Sequence, residues 1–144
     1  MIEDVIITPL KIIETLGGDV YHVVKKDDKS FHGFGEAYFS SIKPGAVKAW
    51  KRHSIMTLNL TVPVGSIKFV VFDNRKNKNG AFQEVFLSQK NYCRLTIPPM
   101  LWVGFQGLDS KDSMLLNIAS IPHDPMEYDK KEIEEINFNW KVNK

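Results

Sequence analysis

Cysteine is almost missing from this chain. Cys93 is the only one in 144 residues, so no intrachain disulfide can form, and a reducing compartment is expected. Net charge is also scarce. The 19 Lys and Arg residues against 17 Asp and Glu leave +2, too little for a nucleic-acid-sized basic surface, so no nucleic-acid partner is expected. No apolar stretch approaches the roughly 20 residues a spanning helix needs, so no membrane partner is expected either. The start, "MIEDVIITPLKIIETLGG", is acidic and mixed, whereas a signal peptide has a basic start and a longer apolar run. The expected location is the cytoplasm. Catalytic signatures are equally sparse. "GFGEA" has no third glycine and no following helix, and no strained nucleophile elbow is present. The four histidines (His22, His32, His53 and His123) are scattered without the spacing of a local metal site.

What is abundant is strand. Runs rich in Val, Ile, Phe, Tyr and Trp recur about every 8 to 12 residues, the spacing of an antiparallel sandwich or barrel. They are "VIITPLKII", "DVYHVVKK", "GEAYFSSI", "AVKAWKRH", "MTLNLTVPV", "SIKFVVFD", "FQEVFLS", "YCRLTIP", "LWVGFQGL" and "MLLNIAS". Turn residues separate them, including Gly17-Gly18, Pro44-Gly45, Gly65-Ser66 and Pro98-Pro99. "NRKNKNG", ending at Gly80, is expected to be a mobile hairpin loop with solvated lysines. Helical periodicity is absent before residue 125. The tail from 125 to 144 is charged and is expected to form a short helix or turns before Phe138 and Trp140 dock on the barrel. One domain over 1–144 is expected, long enough to bury a core without staples.

One strand stands out chemically. "KAWKRHSIMTLNL", Lys48 to Leu60, gathers Lys48, Lys51, Arg52 and His53 around Trp50. Such a strand either carries a solvated face or lines an anion-binding pocket. Lys51 and His53 share a parity and therefore a face, while Arg52 has the opposite parity and points out. Trp50 faces away from Lys51 or sits at a bulge, where packing is its role.

Five segments in order, "PGAVKAWKRH", "VPVGSIKFVVFDNR", "LTIPPMLWVGFQGL", "LLNIASIPHDP" and "INFNW", resemble the dTDP-4-dehydrorhamnose 3,5-epimerase family. This is a sugar-nucleotide branch of the cupin superfamily, and the resemblance covers roughly residues 30 to 140. It implies an all-β, antiparallel jelly-roll (cupin) barrel with a pocket in its mouth, usually as a homodimer. It also implies proton abstraction next to the carbonyl of a dTDP-type 4-keto-deoxysugar, in bacterial surface-polysaccharide (O-antigen or lipopolysaccharide) biosynthesis. The family works without metal or organic cofactor, so none is expected. A histidine base is oriented by an aspartate, and a tyrosine serves as acid.

Carried over by position, the family's phosphate-binding arginine falls on Lys48, its histidine base on Lys51 and a glutamine on His53. Its acid tyrosine falls on Asn117, a second histidine on Val103, and a glycine on Met100. The orienting aspartate falls near Ile133, with Glu132 and Glu134 the nearest acids. The usual dyad is therefore not retained. The histidine pair, acid and later histidine of metal-binding cupins shrink to Lys51, His53 and Val103, which cannot hold a metal ion usefully.

The expected catalytic residues are thus His53, Lys51 and Asn117. Histidine suits a general base without adjustment. Lys51 would stabilise an enolate if charged, or act as base if burial lowered its pKa. Asn117 could donate a hydrogen bond to the sugar oxygen. Lys48, Asn59, Tyr38 and Trp102 are the expected substrate- and nucleotide-binding residues, with Tyr21 a further possible lining residue. The alternative is a non-catalytic sugar-nucleotide-binding or accessory cupin with a vestigial site. A second alternative is a purely structural dimer with a vestigial pocket, which plugging of the pocket by Met100, Trp102 or Val103 would favour. A homodimer is expected because the apolar N-terminal run lacks the charge that a free edge strand carries.

Overall fold

A computed structural model describes residues 1–77 and 79–142. Lys78 of the "NRKNKNG" loop and the last two residues of the tail lie outside the described residues. The strands, in chain order, are β1 (Ile6–Pro9), β2 (Ile12–Ile13), β3 (Val20–Tyr21), β4 (Glu36–Ile42), β5 (Val47–His53) and β6 (Leu58–Val64). They continue with β7 (Ser66–Asp73), β8 (Ala81–Ser88), β9 (Cys93–Ile97), β10 (Trp102–Gly107), β11 (Ser113–Ala119) and β12 (Tyr128–Lys130), followed by a 3-10 turn over Ile133–Glu135.

Two five-stranded antiparallel sheets face each other as a jelly roll. One runs β1-β9-β6-β11-β4, the other β12-β5-β10-β7-β8, and β2 and β3 form a small separate pair. Side chains alternate across each strand, so one face of each sheet builds the shared core. Leu60, Val62, Leu95 and Ile97 of the first sheet meet Ile67, Phe69 and Val71 of the second there.

β7 breaks the simple alternation, because every residue from Ile67 to Phe72 is buried. Its outward residues Val70 and Phe72 join a second cluster with Trp50, Trp102 and Ile136, against which Phe138 and Trp140 of the tail pack. The tail thus covers the outer face of the second sheet. Lys68, also outward, is buried with its ammonium 5.6 Å from the ring centroids of both Phe138 and Trp140. The tail differs from the sequence expectation in one respect. Tyr128–Lys130 is strand, because it pairs with the edge of β5 before the 3-10 turn begins.

The pairing of β5 with β10 positions the site. Val103 lies opposite Lys51 and Phe105 opposite Lys48, so two steps along β10 match three along β5. The extra residue is a bulge, which resets the side-chain alternation. Lys48 and Lys51 would face opposite ways in a regular strand, and here both reach the inner side. Gly104 sits across from the bulge, where a Cβ would lie 2.6 Å from that of Ala49 and 3.0 Å from the Trp140 ring. Only glycine leaves room there for both the bulge and the docked tail.

Candidate active site

A cavity of about 530 Å³ opens between the two sheets, within the range typical of small-molecule sites. Its walls include Tyr38 and Asn117 from the first sheet, and Lys48, Lys51 and His53 from the second. Five of the seven expected site residues therefore converge. Val103 contributes to the lining without closing the cavity, Met100 is exposed, and Trp102 lies elsewhere.

His53 has a buried partner that the sequence did not point to. Its Nδ1–H donates to Oε1 of Glu127, just before β12. The Glu127 side chain is only 2% exposed, and its Oε2 accepts the amides of Ser54 (3.1 Å), Ile55 (3.0 Å) and Met56 (3.2 Å). Burial opposes charge on this carboxylate. The His53 hydrogen bond and the Ile55 and Met56 amides outweigh it, and Glu127 is held below its ordinary value of 4.5. An ionised carboxylate can only accept, so Nδ1 of His53 carries a proton, and in the neutral ring Nε2 then presents its lone pair. His53 is thereby an oriented base whose free nitrogen belongs to a cavity-lining ring. The acids expected from the sequence do otherwise. Glu132 borders the cavity but forms a capping box with Glu135, and Glu134 is exposed.

On the facing wall, Asn117 is buried and lies opposite Tyr38 in the β11–β4 ladder. Its Nδ2 donates to the Tyr38 hydroxyl oxygen at 3.0 Å, while its Oδ1 accepts the Asn59 amide at 3.3 Å. Both sides of the Asn117 amide are thus engaged within the protein. The Tyr38 hydroxyl receives that bond and keeps its own proton available. Asn117 is consequently placed as a holder of Tyr38, and the tyrosine that the family carries on this strand has a counterpart on the neighbouring one.

Lys48 is exposed and donates to the Ser41 carbonyl at 3.0 Å, with its ammonium 6.0 Å from the Phe105 ring centroid. Lys51 is half-buried and its ammonium lies 4.4 Å from the Tyr128 ring centroid. Burial, and then the charge of Lys130, push its pKa below the ordinary 10.5, with Glu127 acting weakly the other way.

The two remaining candidates lie outside the cavity. Asn59 alternates with the cavity-lining Leu58 and Leu60 and so faces outward. There its Oδ1 accepts from Thr96 (2.6 Å) and from Arg94 (3.2 Å), and its Nδ2 donates to the Ser30 carbonyl (3.1 Å). Its role is structural, in a buried polar network that ties the segment before β4 to the first sheet. Trp102 is buried in the outer cluster under the Arg52 guanidinium, 4.8 Å from its ring, so it packs the tail side of the sheet. Arg52 itself points out, as expected, and pairs with Asp129 at 2.7 Å. Tyr21 packs edge-on against Tyr92 instead of lining the cavity. Among the described residues, no group of three His, Cys, Asp or Glu side chains is placed to hold a metal ion, and no helix is long and apolar enough to cross a membrane.

Comparison with known proteins adds the following. No family model matches the chain. A dTDP sugar isomerase from Desulfovibrio desulfuricans has a solved structure that superposes with a TM-score of 0.91 at 37% identity, covering 96% of this chain and 91% of that one. A probable low-salt glycan biosynthesis epimerase of Haloferax volcanii is 26% identical over 136 residues, 92% of this chain and 87% of its own. A spore coat polysaccharide biosynthesis protein of Bacillus subtilis is 26% identical over 124 residues, 82% of each chain.

Proposed function

Since the chain belongs to the dTDP-sugar isomerase and epimerase family of the cupin fold, we propose that it converts a dTDP-linked 4-keto-deoxysugar by moving a proton next to the carbonyl. The observation that carries this is the pair of His53 and Glu127 on one sheet facing Tyr38 and Asn117 on the other, across one cavity. His53 Nε2 takes the proton from the carbon beside the carbonyl, and the electron pair moves onto the oxygen to give an enolate. Positive charge from Lys51 and Lys48 favours that anion and the diphosphate.

Return of a proton from Tyr38, on the far side of the sugar, would invert the carbon and give epimerisation. Return by His53 to the former carbonyl carbon, on the side from which the proton left, with the neighbouring hydroxyl's proton passing to the enolate oxygen, would shift the ketone instead. Base and acid standing on facing sheets favour epimerisation. A purely binding role would account for Glu127 as anchor of the turn but not for its orienting a cavity histidine.

The relatives' names support placement in surface-glycan assembly, with lipopolysaccharide as one such product. A nucleotide-linked substrate also supports a cytoplasmic location. We also propose a homodimer. β1 is an edge strand with Ile6 and Ile7 exposed and no charged residue, a poor free edge in water. Light scattering that gives a monomer at micromolar concentration would exclude it.

The decisive experiment incubates the protein with dTDP-4-keto-6-deoxyglucose in deuterium oxide. Deuterium at C3 or C5 of the sugar is expected. Its absence, with the ligand demonstrably bound, would exclude the proposed chemistry.

A further inference from the structure

The cavity wall holds a cation from outside the strands that the sequence singled out. β12 lies antiparallel to β5 with Tyr128 opposite His53, Asp129 opposite Arg52 and Lys130 opposite Lys51. Directly opposed residues share a face, so Tyr128 and Lys130 lie on the side of His53 and Lys51, while Asp129 goes to the outer face with Arg52. The Lys130 ammonium lies 5.6 Å from the Tyr128 ring centroid, and that of Lys51 lies 4.4 Å from the same centroid. Both lysines border the cavity.

Among the described residues, neither ammonium has a counter-ion. Among the described residues, no carboxylate is within ion-pair distance of Lys51 or Lys130. Asp129 is committed to Arg52 and Glu127 to His53 and three amides, and the exposed Glu132, whose amide donates to Glu135 Oε2 at 2.6 Å, pairs with neither lysine. Like charges directly opposite in a strand pair are destabilising. Lys130 in turn pushes the pKa of Lys51 down. Two lysines face each other across a seam at a cavity, Lys51 on β5 and the exposed Lys130 on the three-residue edge strand β12. An anion lying between them removes the repulsion and is held by two charge-assisted bonds.

We propose that Lys130 is a ligand-binding residue which, with Lys51, forms a phosphate subsite across the β5–β12 seam. The anion's identity as the diphosphate of a nucleotide rests on the proposed function above. Both ammonium groups lie within cation–π range of the Tyr128 ring, which favours keeping them at this seam.

Calorimetric titration of the wild-type chain, Lys130→Gln and the exposed control Lys111→Gln tests this with three probes: dTDP, inorganic pyrophosphate and thymidine. Lys130→Gln is expected to bind dTDP and pyrophosphate about tenfold more weakly, as for loss of a charge-assisted hydrogen bond. Thymidine binding should be unchanged, and Lys111→Gln should match the wild type throughout. Without ligand, Lys130→Gln should melt at or above the wild-type temperature, because a repulsion has been removed. Wild-type affinity for dTDP in Lys130→Gln, a lower melting temperature, or no binding of either anion by the wild-type chain would each overturn the subsite. Deuterium exchange into the sugar is read separately. Bound dTDP-sugar without exchange would sink the proposed reaction and leave the subsite standing. Exchange by a Lys130→Gln variant of undiminished affinity would do the reverse.

Discussion

His53 and Glu127 stand 74 positions apart in the chain and meet in one hydrogen bond, with the carboxylate otherwise satisfied by the amides of the turn that follows His53. The turn and the base therefore share one anchor. Glu127→Gln should lower sugar deuterium exchange on the order of 100-fold, the scale for losing the group that fixes a histidine's tautomer and orientation. Nitrogen-15 spectra of His53 should show the proton redistributing between Nδ1 and Nε2, which a merely structural change would not produce. Unchanged ring signals would argue against an orienting role.

Acid should weaken this anchor. The Glu127 carboxyl is held below 4.5, so it contributes stability that is fully present above about 4.5 and is lost as pH falls through its folded value. Glu127→Ala removes the acceptor of three amides and should cost about 3 kcal/mol at neutral pH. The difference from wild type should shrink below pH ~4.5, where the unfolded carboxyl takes up a proton that the folded one still resists. Urea titrations at pH 7 and at pH 3 would measure it, and equal differences at both would contradict the account.

His53 and Tyr38 should fail differently. His53→Ala is expected to keep nucleotide-sugar binding and to lose exchange by about 100-fold or more, as for removal of a general base. Tyr38→Phe leaves the base intact, so deuterium should still enter on the His53 side while the inverted sugar fails to accumulate. Proton NMR of the sugar distinguishes incorporation with retention from inversion. Normal inversion by Tyr38→Phe would remove Tyr38 from the reaction.

Much of the fold was legible before the structure, and the reasons are specific. Runs such as "SIKFVVFD" and "MLLNIAS" lie close to β7 and β11, because β-branched and aromatic residues bounded by turn residues have few alternatives. β12 was not legible, since three residues carry too little pattern and its existence depends on the β5 edge. The shared face of Lys48 and Lys51 was hidden by the bulge, which strict alternation cannot anticipate. Glu127 was hidden by distance, because nothing local marks an acid that partners a histidine in another strand. Asn59 and Trp102 were expected at the site for their chemistry, yet each faces the other side of its sheet.

Lys48→Ala and Lys51→Ala should each weaken dTDP-sugar binding by about 1 to 3 kcal/mol. Lys51 also carries a pH dependence. The pKa of Lys51 is below 10.5 in the folded chain, so the unfolded chain binds more protons between the two values. Stability in that window rises with pH, and the cost of burying this charge is fully present below the folded value. Lys51→Ala should therefore leave neutral-pH stability unchanged or slightly raised, while ligand-free wild type gains on it towards pH 10.5. Equal binding by both variants and wild type would reduce these cations to surface charge.

Met100 offers a test of the scaffold alone. It adopts φ +73°, in the left-handed region that L side chains occupy at a cost of about 1 to 2 kcal/mol. Its side chain is 42% exposed, so burial repays little of that cost. Its amide donates to the His53 carbonyl at 2.7 Å, which holds the turn in place whichever side chain it bears. Met100→Gly relieves the backbone, although glycine also gives the unfolded chain more freedom, and the balance should be a gain of roughly 0.5 to 1 kcal/mol. For a chain of this size that corresponds to a melting temperature about 1 to 4 °C higher. The variant should bind dTDP as the wild type does, since Met100 lies outside the cavity lining. A lower melting temperature would mean that the Met100 side chain makes contacts worth more than its backbone conformation costs.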